Sequence, residues 1–155
     1  MELIGVWVVV AAVAGALLAW AALTAQRLDR LHIRVDRCRD ALQAALDRRC
    51  VVIAAYLPQL ADQAHATEAV QLRARDMEAR LAAEDLLRGQ IDLIDLENRA
   101  AHAIAEADTR VMLALRFYNE AVTDTRALRL QPLIRVLRLG GSAALPQFAS
   151  LHDLG

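Results

Sequence analysis

Twenty-three consecutive residues, Leu3–Ala25, carry no ionisable side chain. At about 1.5 Å per residue, a helix over this run is roughly 34 Å long, enough for the ~30 Å hydrocarbon core of a bilayer. Ten of its residues are Val, Ile or Leu, each favouring insertion by about 0.3 to 0.6 kcal/mol. Trp7 and Trp20 stand near the two ends, where indole rings favour the interface. A cleaved signal peptide needs a basic leader and a shorter apolar stretch. Only Met1 and Glu2 precede this run, and Ala19-Trp20-Ala21 resembles a cleavage site only in a segment rich in alanine throughout. The expectation is an uncleaved single-pass anchor over residues 3–25.

Charge placement sets the expected orientation. All eighteen basic residues are arginines and lie beyond Thr24, beginning with Arg27 and Arg30. The positive-inside rule places that flank in the cytoplasm and the N-terminus outside. Arg27 and Arg30 are close enough to the bilayer to meet anionic headgroups. Within the anchor, Ala11, Gly15 and Ala19 form a small-xxx-small face that permits close helix approach and a homo-oligomer.

After the anchor the sequence reads as helix, with few Gly, Pro, aromatic or β-branched residues to favour a sheet. Leu28, Leu31, Val35, Cys38, Leu42 and Ala45 alternate three and four apart, one buried face of a helix that continues the anchor. Pro58 should end it near Leu57. A second helix is expected over Thr67–Leu87, with Val70, Ala74, Met77 and Leu81 on one face and a break at Gly89. A third runs from Leu93 through Ala107, Val111, Ala114, Tyr118 and Ala121 to Leu128, ended by Pro132. Leu133–Leu139 reads as a short fourth helix. The predicted fold is all-α: an anchor continuing into an antiparallel bundle over 26–139, of three long helices and a short C-terminal one. Residues 140–155 read as a loose tail, with Pro146-Gln147-Phe148 as a docking point.

Chemistry is sparsely signalled. The net charge of -1 gives no overall pull toward nucleic acid. Asp29/His32 and Asp62/His65 have helix-face spacing, but placed on one straight helix they stand about 50 Å apart, too far to share a metal. Cys38 and Cys50 are twelve residues apart and form neither a zinc pair nor a disulfide within one helix. No G-x-S-x-G, phosphate loop or dinucleotide motif is present. Glu84 and Asp85 diverge on a helix and read as surface. The core stripes read as nearly free of polar groups, so no catalytic, cofactor or metal residue is expected. A scaffold needs only an anchor, a rigid bundle and exposed faces, whereas a ligand-binding or enzymatic bundle needs converging polar groups inside.

Arg116-Phe117-Tyr118-Asn119-Glu120-Ala121-Val122 resembles the signature of the LemA family, small bacterial proteins with an N-terminal anchor and a cytoplasmic helical bundle. Val35-Asp36-Arg37-Cys38-Arg39-Asp40-Ala41-Leu42 and Leu46-Asp47-Arg48-Arg49 are similar to that family's first helix, and Asp108-Thr109-Arg110-Val111 to its long one. The chain resembles a short, divergent member, with Val51-Val52-Ile53-Ala54 in place of the usual D-L-I-P and Thr125-Arg126 in place of a second Tyr-Asn. The resemblance implies a bacterial inner-membrane scaffold with an unidentified protein partner. It brings no catalytic residues, and marks Arg49, Tyr118 and Asn119 as structural or interaction positions. Tyr118, on the apolar stripe, should pack inside with its hydroxyl on a polar partner, and Asn119 should border that face.

Overall fold

A computed structural model describes residues 2–73, 77–130 and 145–151. The chain is an all-α helical bundle. Helix α1 spans Glu2–Tyr56, α2 Ala61–Glu68, α3 Met77–Ile91 and α4 Asn98–Arg129, with a short 3₁₀ turn at Pro58–Leu60. Helix α1 is unbroken because neither Gly5 nor Gly15 is a strong enough breaker inside a run of good helix formers. Its N-terminal third stands clear of the rest of the protein: Trp7 is 67% exposed, Val9 62% and Leu18 72%. This helix is long and apolar enough to cross a membrane.

Pro58 ends α1 by pushing Leu57 out of the helical region, to φ -126° and ψ 76°. The chain then folds back through α2 and α3, and α4 returns antiparallel along α1. Leu28 packs on Leu128 near the exposed N-terminal run, and Arg34 pairs with Asp124 at 2.7 Å. One apolar cluster joins Leu42 and Leu46 of α1 to Leu81 of α3 and Val111, Tyr118 and Val122 of α4. A second joins Cys50, Ile53 and Leu57 to Ala64, Leu87, Ile91 and Ile104.

Three element boundaries differ from expectation. The second helix is two: α2 ends at Glu68 and α3 starts at Met77, so Thr67 lies buried near the end of α2 with its hydroxyl donating to the Gln63 carbonyl. The cause is a distant side chain. Arg80 of α3 donates from Nη1 to the carbonyls of Val70 at 2.7 Å and Glu68 at 3.3 Å, satisfying groups that a continued helix would have bonded. Gly89 does not break α3, which runs on to Ile91: a glycine in an exposed helix costs about 1 kcal/mol, too little to stop a helix whose neighbours Leu87 and Ile91 are buried. Helix α4 begins at Asn98, leaving Leu93 87% exposed in the connecting turn. Ala74 and the expected helix at Leu133–Leu139 lie outside the described residues.

Residues 145–151 of the tail have no regular secondary structure and are held on α4 by Tyr118, Asn119 and Arg126.

Candidate functional site

Arg49, Arg80 and Glu84 form a charged layer between the two apolar clusters. All three are 4% exposed or less. Arg49 lies on the core face of α1 between Leu46 and Ile53, and Glu84 on the core face of α3 between Leu81 and Leu87. Glu84 accepts from both guanidiniums: Arg49 Nη1 to Oε2 at 2.9 Å and Arg80 Nε to Oε1 at 3.0 Å. Arg49 Nε also donates to Asp108 Oδ1 of α4. Asp47 Oδ1 lies 2.8 Å from Arg80 Nη2 as a contact ion pair without the alignment of a hydrogen bond. The layer thus joins α1, α3 and α4, and through the Arg80 contacts it closes the end of α2.

The signs are balanced by position. Two buried guanidiniums face one buried carboxylate, and the remaining charge is met by Asp108 and Asp47 at the edge of the layer, 19% and 30% exposed. Burial pulls the Arg49 guanidinium down, but Asp108 and then Glu84 outweigh it and hold it above its ordinary value. Burial also pulls Arg80 down, with Glu84 and Asp47 raising it further than burial lowers it. Both stay charged, and neither is a proton donor near neutral pH. The space beside Arg49 and Glu84 is about 10 Å³, room for no more than one water. A network this full binds helices together.

Glu84 therefore overturns two expectations: it is not surface, and the core stripes are not free of polar groups. No motif in the sequence joins Arg80, Glu84, Asp47 and Asp108 as one site. A signal was present, because Glu84 falls three residues after Leu81 and three before Leu87, inside the buried stripe of α3. Arg49, named from the family resemblance, sits at the centre of the layer.

Cys50 adjoins the layer, with Sγ 3.6 Å from Glu84 Oε1. Burial, and then the Glu84 charge, push its thiol up to about 12. The folded protein therefore holds this proton more tightly than an unfolded chain, whose thiol ionises near 9.0. The resulting stabilisation is complete below pH 9.0 and is lost as pH rises toward 12. Maleimide should accordingly modify half-buried Cys38 in the native protein and Cys50 only on unfolding. Stability measured between those two pH values should fall less steeply in Cys50→Ala. Native labelling of Cys50 at the rate of Cys38 would contradict the burial argument.

Tyr118 and Asn119 form a second constellation, about 15 Å along α4 from Asp108. Tyr118 is 3% exposed, and its hydroxyl donates to the Gln147 carbonyl at 2.9 Å. Burial raises its phenol above the ordinary value. Asn119 makes a reciprocal pair with one residue of the tail: Nδ2 donates to the Ala149 carbonyl at 2.8 Å, and the Ala149 N–H donates to Oδ1 at 3.0 Å. Ala149 is thereby seated in the main cluster, 2% exposed. Arg126 lies 5.0 Å over the Phe148 ring. The amide thus bridges a helix to the tail and not one helix to another.

The other sequence candidates stand apart. Arg27 and Arg30 are exposed on α1 beyond the apolar run, and Ala11, Gly15 and Ala19 are exposed within it. Asp29/His32 lies on α1 and Asp62/His65 on α2, on two helices and not one. The imidazole of His32 bonds the Leu28 carbonyl, and His65 lies 3.6 Å from Glu68. Among the described residues no three His, Cys, Asp or Glu side chains gather as a metal site would require. No family model, curated protein or solved structure matches this chain.

Proposed function

We propose that this chain is a single-span membrane protein whose helical bundle, held on the cytoplasmic side, is an interaction scaffold of LemA-like type without catalytic chemistry. The observation that carries this reading is α1 itself: one continuous helix joins an exposed, uncharged run to the bundle, with no hinge between them. A rigid connection suits a body that presents surfaces at a fixed height and angle above a bilayer. The arginine flank at Arg27 and Arg30 supports the cytoplasmic side. The LemA-like type rests on the resemblance of the RFYNEAV segment, in which Tyr118 and Asn119 fasten the tail to the bundle.

The alternative is a ligand-binding or enzymatic bundle. The buried charged layer is the observation in its favour. Its groups are committed to one another, however, and its free space is about 10 Å³, far below the several hundred Å³ of a small-molecule site.

Crosslinking in intact membranes tests the scaffold reading. Crosslinkers placed on the exposed faces of α1 and α4 should give discrete adducts with one or a few other proteins. A crosslinker in the anchor should give homodimers that Gly15→Ile weakens, because Gly15 has open space where a larger side chain would obstruct close helix approach. Adducts with bulk protein only, or none, would contradict the scaffold, and unchanged dimers would remove the Gly15 face from it.

A further inference from the structure

Helices α1 and α4 enclose an open groove of about 560 Å³. Its floor is made by small side chains, Ala41 and Ala45 of α1 and Ala114 of α4. Leu113 and Phe117 form one wall and are 53% and 50% exposed. The floor residues of α1 recur with Cys38 at spacings of three and four, and on α4 Phe117 follows Leu113 by four and Ala114 by three. Two parallel seams of this kind, one small and one large, are what a third helix packs into.

The charges around the groove select the kind of helix. Arg34, Arg37 and Arg110 line it, and no carboxylate does. Among the described residues Arg37 has no ion-pair partner. Arg34 and Arg110 each hold a single exposed pair, with Asp124 and Glu106, and such pairs contribute little and leave guanidinium donors over. The arginines sit at opposite ends. Arg34 meets Asp124 and Arg49 meets Asp108, so Arg110 lies level with Asp47–Arg48 on α1. From Arg37 to that level is about ten residues, or roughly 15 Å.

We propose that this groove docks an amphipathic helix of a partner protein whose apolar stripe, about three turns long, carries acidic residues at both ends. A second copy of this chain is disfavoured as occupant, because groove against groove sets three guanidiniums on three. The apolar face of α3 is already buried in the core, so the described helices of the same chain do not offer it either. The proposal rests on the scaffold reading and names the partner class that scaffold takes.

The test uses the full chain in mild detergent and a labelled synthetic helix of about four turns, with a leucine stripe and glutamates at both ends. Saturable binding is expected, weakened by salt. Arg37→Glu should lower the affinity several-fold, and a lysine-ended version of the probe should prefer that variant to the wild type. Ala41→Phe, at an exposed position, should block binding by filling the floor while the helical circular dichroism is unchanged. Absence of saturable binding overturns the proposal, as does equal binding of the two probes. Self-association of the bare chain that Ala41→Phe abolishes assigns the groove to a second copy and also overturns it. Membrane crosslinks that survive in Ala41→Phe discard the groove but keep the scaffold. Absence of any discrete partner crosslink in the wild type discards the scaffold whatever the probe does.

Discussion

Replacing Glu84 by alanine should lower the stability of the bundle by roughly 3 to 5 kcal/mol, the range for a buried ion pair that loses one partner. Glu84 is the carboxylate both buried guanidiniums share. Without it, Arg49 keeps only Asp108 and Arg80 only Asp47, and both of those lie at the solvent edge. The damage should spread: Arg80 also caps the carbonyls of Val70 and Glu68, so α2 and α3 should loosen together. Glu84→Gln keeps the shape and one acceptor but removes the charge, and should fall between wild type and Glu84→Ala. Urea unfolding of the full chain in mild detergent, followed by far-UV circular dichroism, reads the effect. An unchanged midpoint in Glu84→Ala would mean that the layer is not the joint between helices. Replacing the whole layer with apolar residues of similar volume could restore stability, since a buried network is costly to desolvate. The intact layer is therefore better understood as fixing which faces of α1, α3 and α4 meet than as the main source of stability.

Tyr118→Ala should cost roughly 3 kcal/mol in the same experiment, as for other large-to-small changes in a core. The ring is buried in the main cluster beside Val122 and Ala121, and its hydroxyl holds the Gln147 carbonyl. Asn119→Ala should cost about 1 to 3 kcal/mol, because the Ala149 N–H and carbonyl both lose their partner in a half-buried setting. The two variants should also differ in kind. Tyr118→Ala opens the core, whereas Asn119→Ala releases the tail and should speed proteolysis near Phe148 while leaving the helices intact. Tyr118→Ala with an unchanged midpoint and abolished crosslinking would make the residue a recognition site and not a packing one.

Much of this architecture is legible in local patterns. The uncharged run, the stripe from Leu28 to Leu42 and the proline at position 58 each act within a few residues, so spacing alone places α1. The stripe through Ala107, Val111, Tyr118 and Leu128 does the same for α4. What local pattern does not carry is a long-range substitution of partners. The stretch after Glu68 contains no breaker, and it leaves the helix because Arg80, twelve residues on, takes over a carbonyl there. In the same way Arg80 and Glu84 resemble an ordinary surface pair four residues apart. Only the approach of Arg49 from α1 and Asp108 from α4 makes them a core layer. Gly89 shows the reverse error: a residue that ends many helices is overridden when both its neighbours along the stripe are buried. The tail is legible only in part: Pro146-Gln147-Phe148 reads as a docking point, but Tyr118, Asn119 and Arg126 hold the segment mostly through its backbone groups, which no side-chain pattern marks.

The proposed topology has α1 crossing a membrane and holding the bundle on the cytoplasmic side. It is tested most directly by a single reporter thiol, Asp40→Cys at an exposed position of α1 with Cys38→Ala, Cys50 being buried and silent. The protein should remain in the membrane pellet after an alkaline carbonate wash. A membrane-impermeant maleimide should leave Asp40→Cys unlabelled in intact cells and label it once the membrane is opened. Release of the protein by carbonate would contradict the anchor, and labelling in intact cells would contradict the orientation.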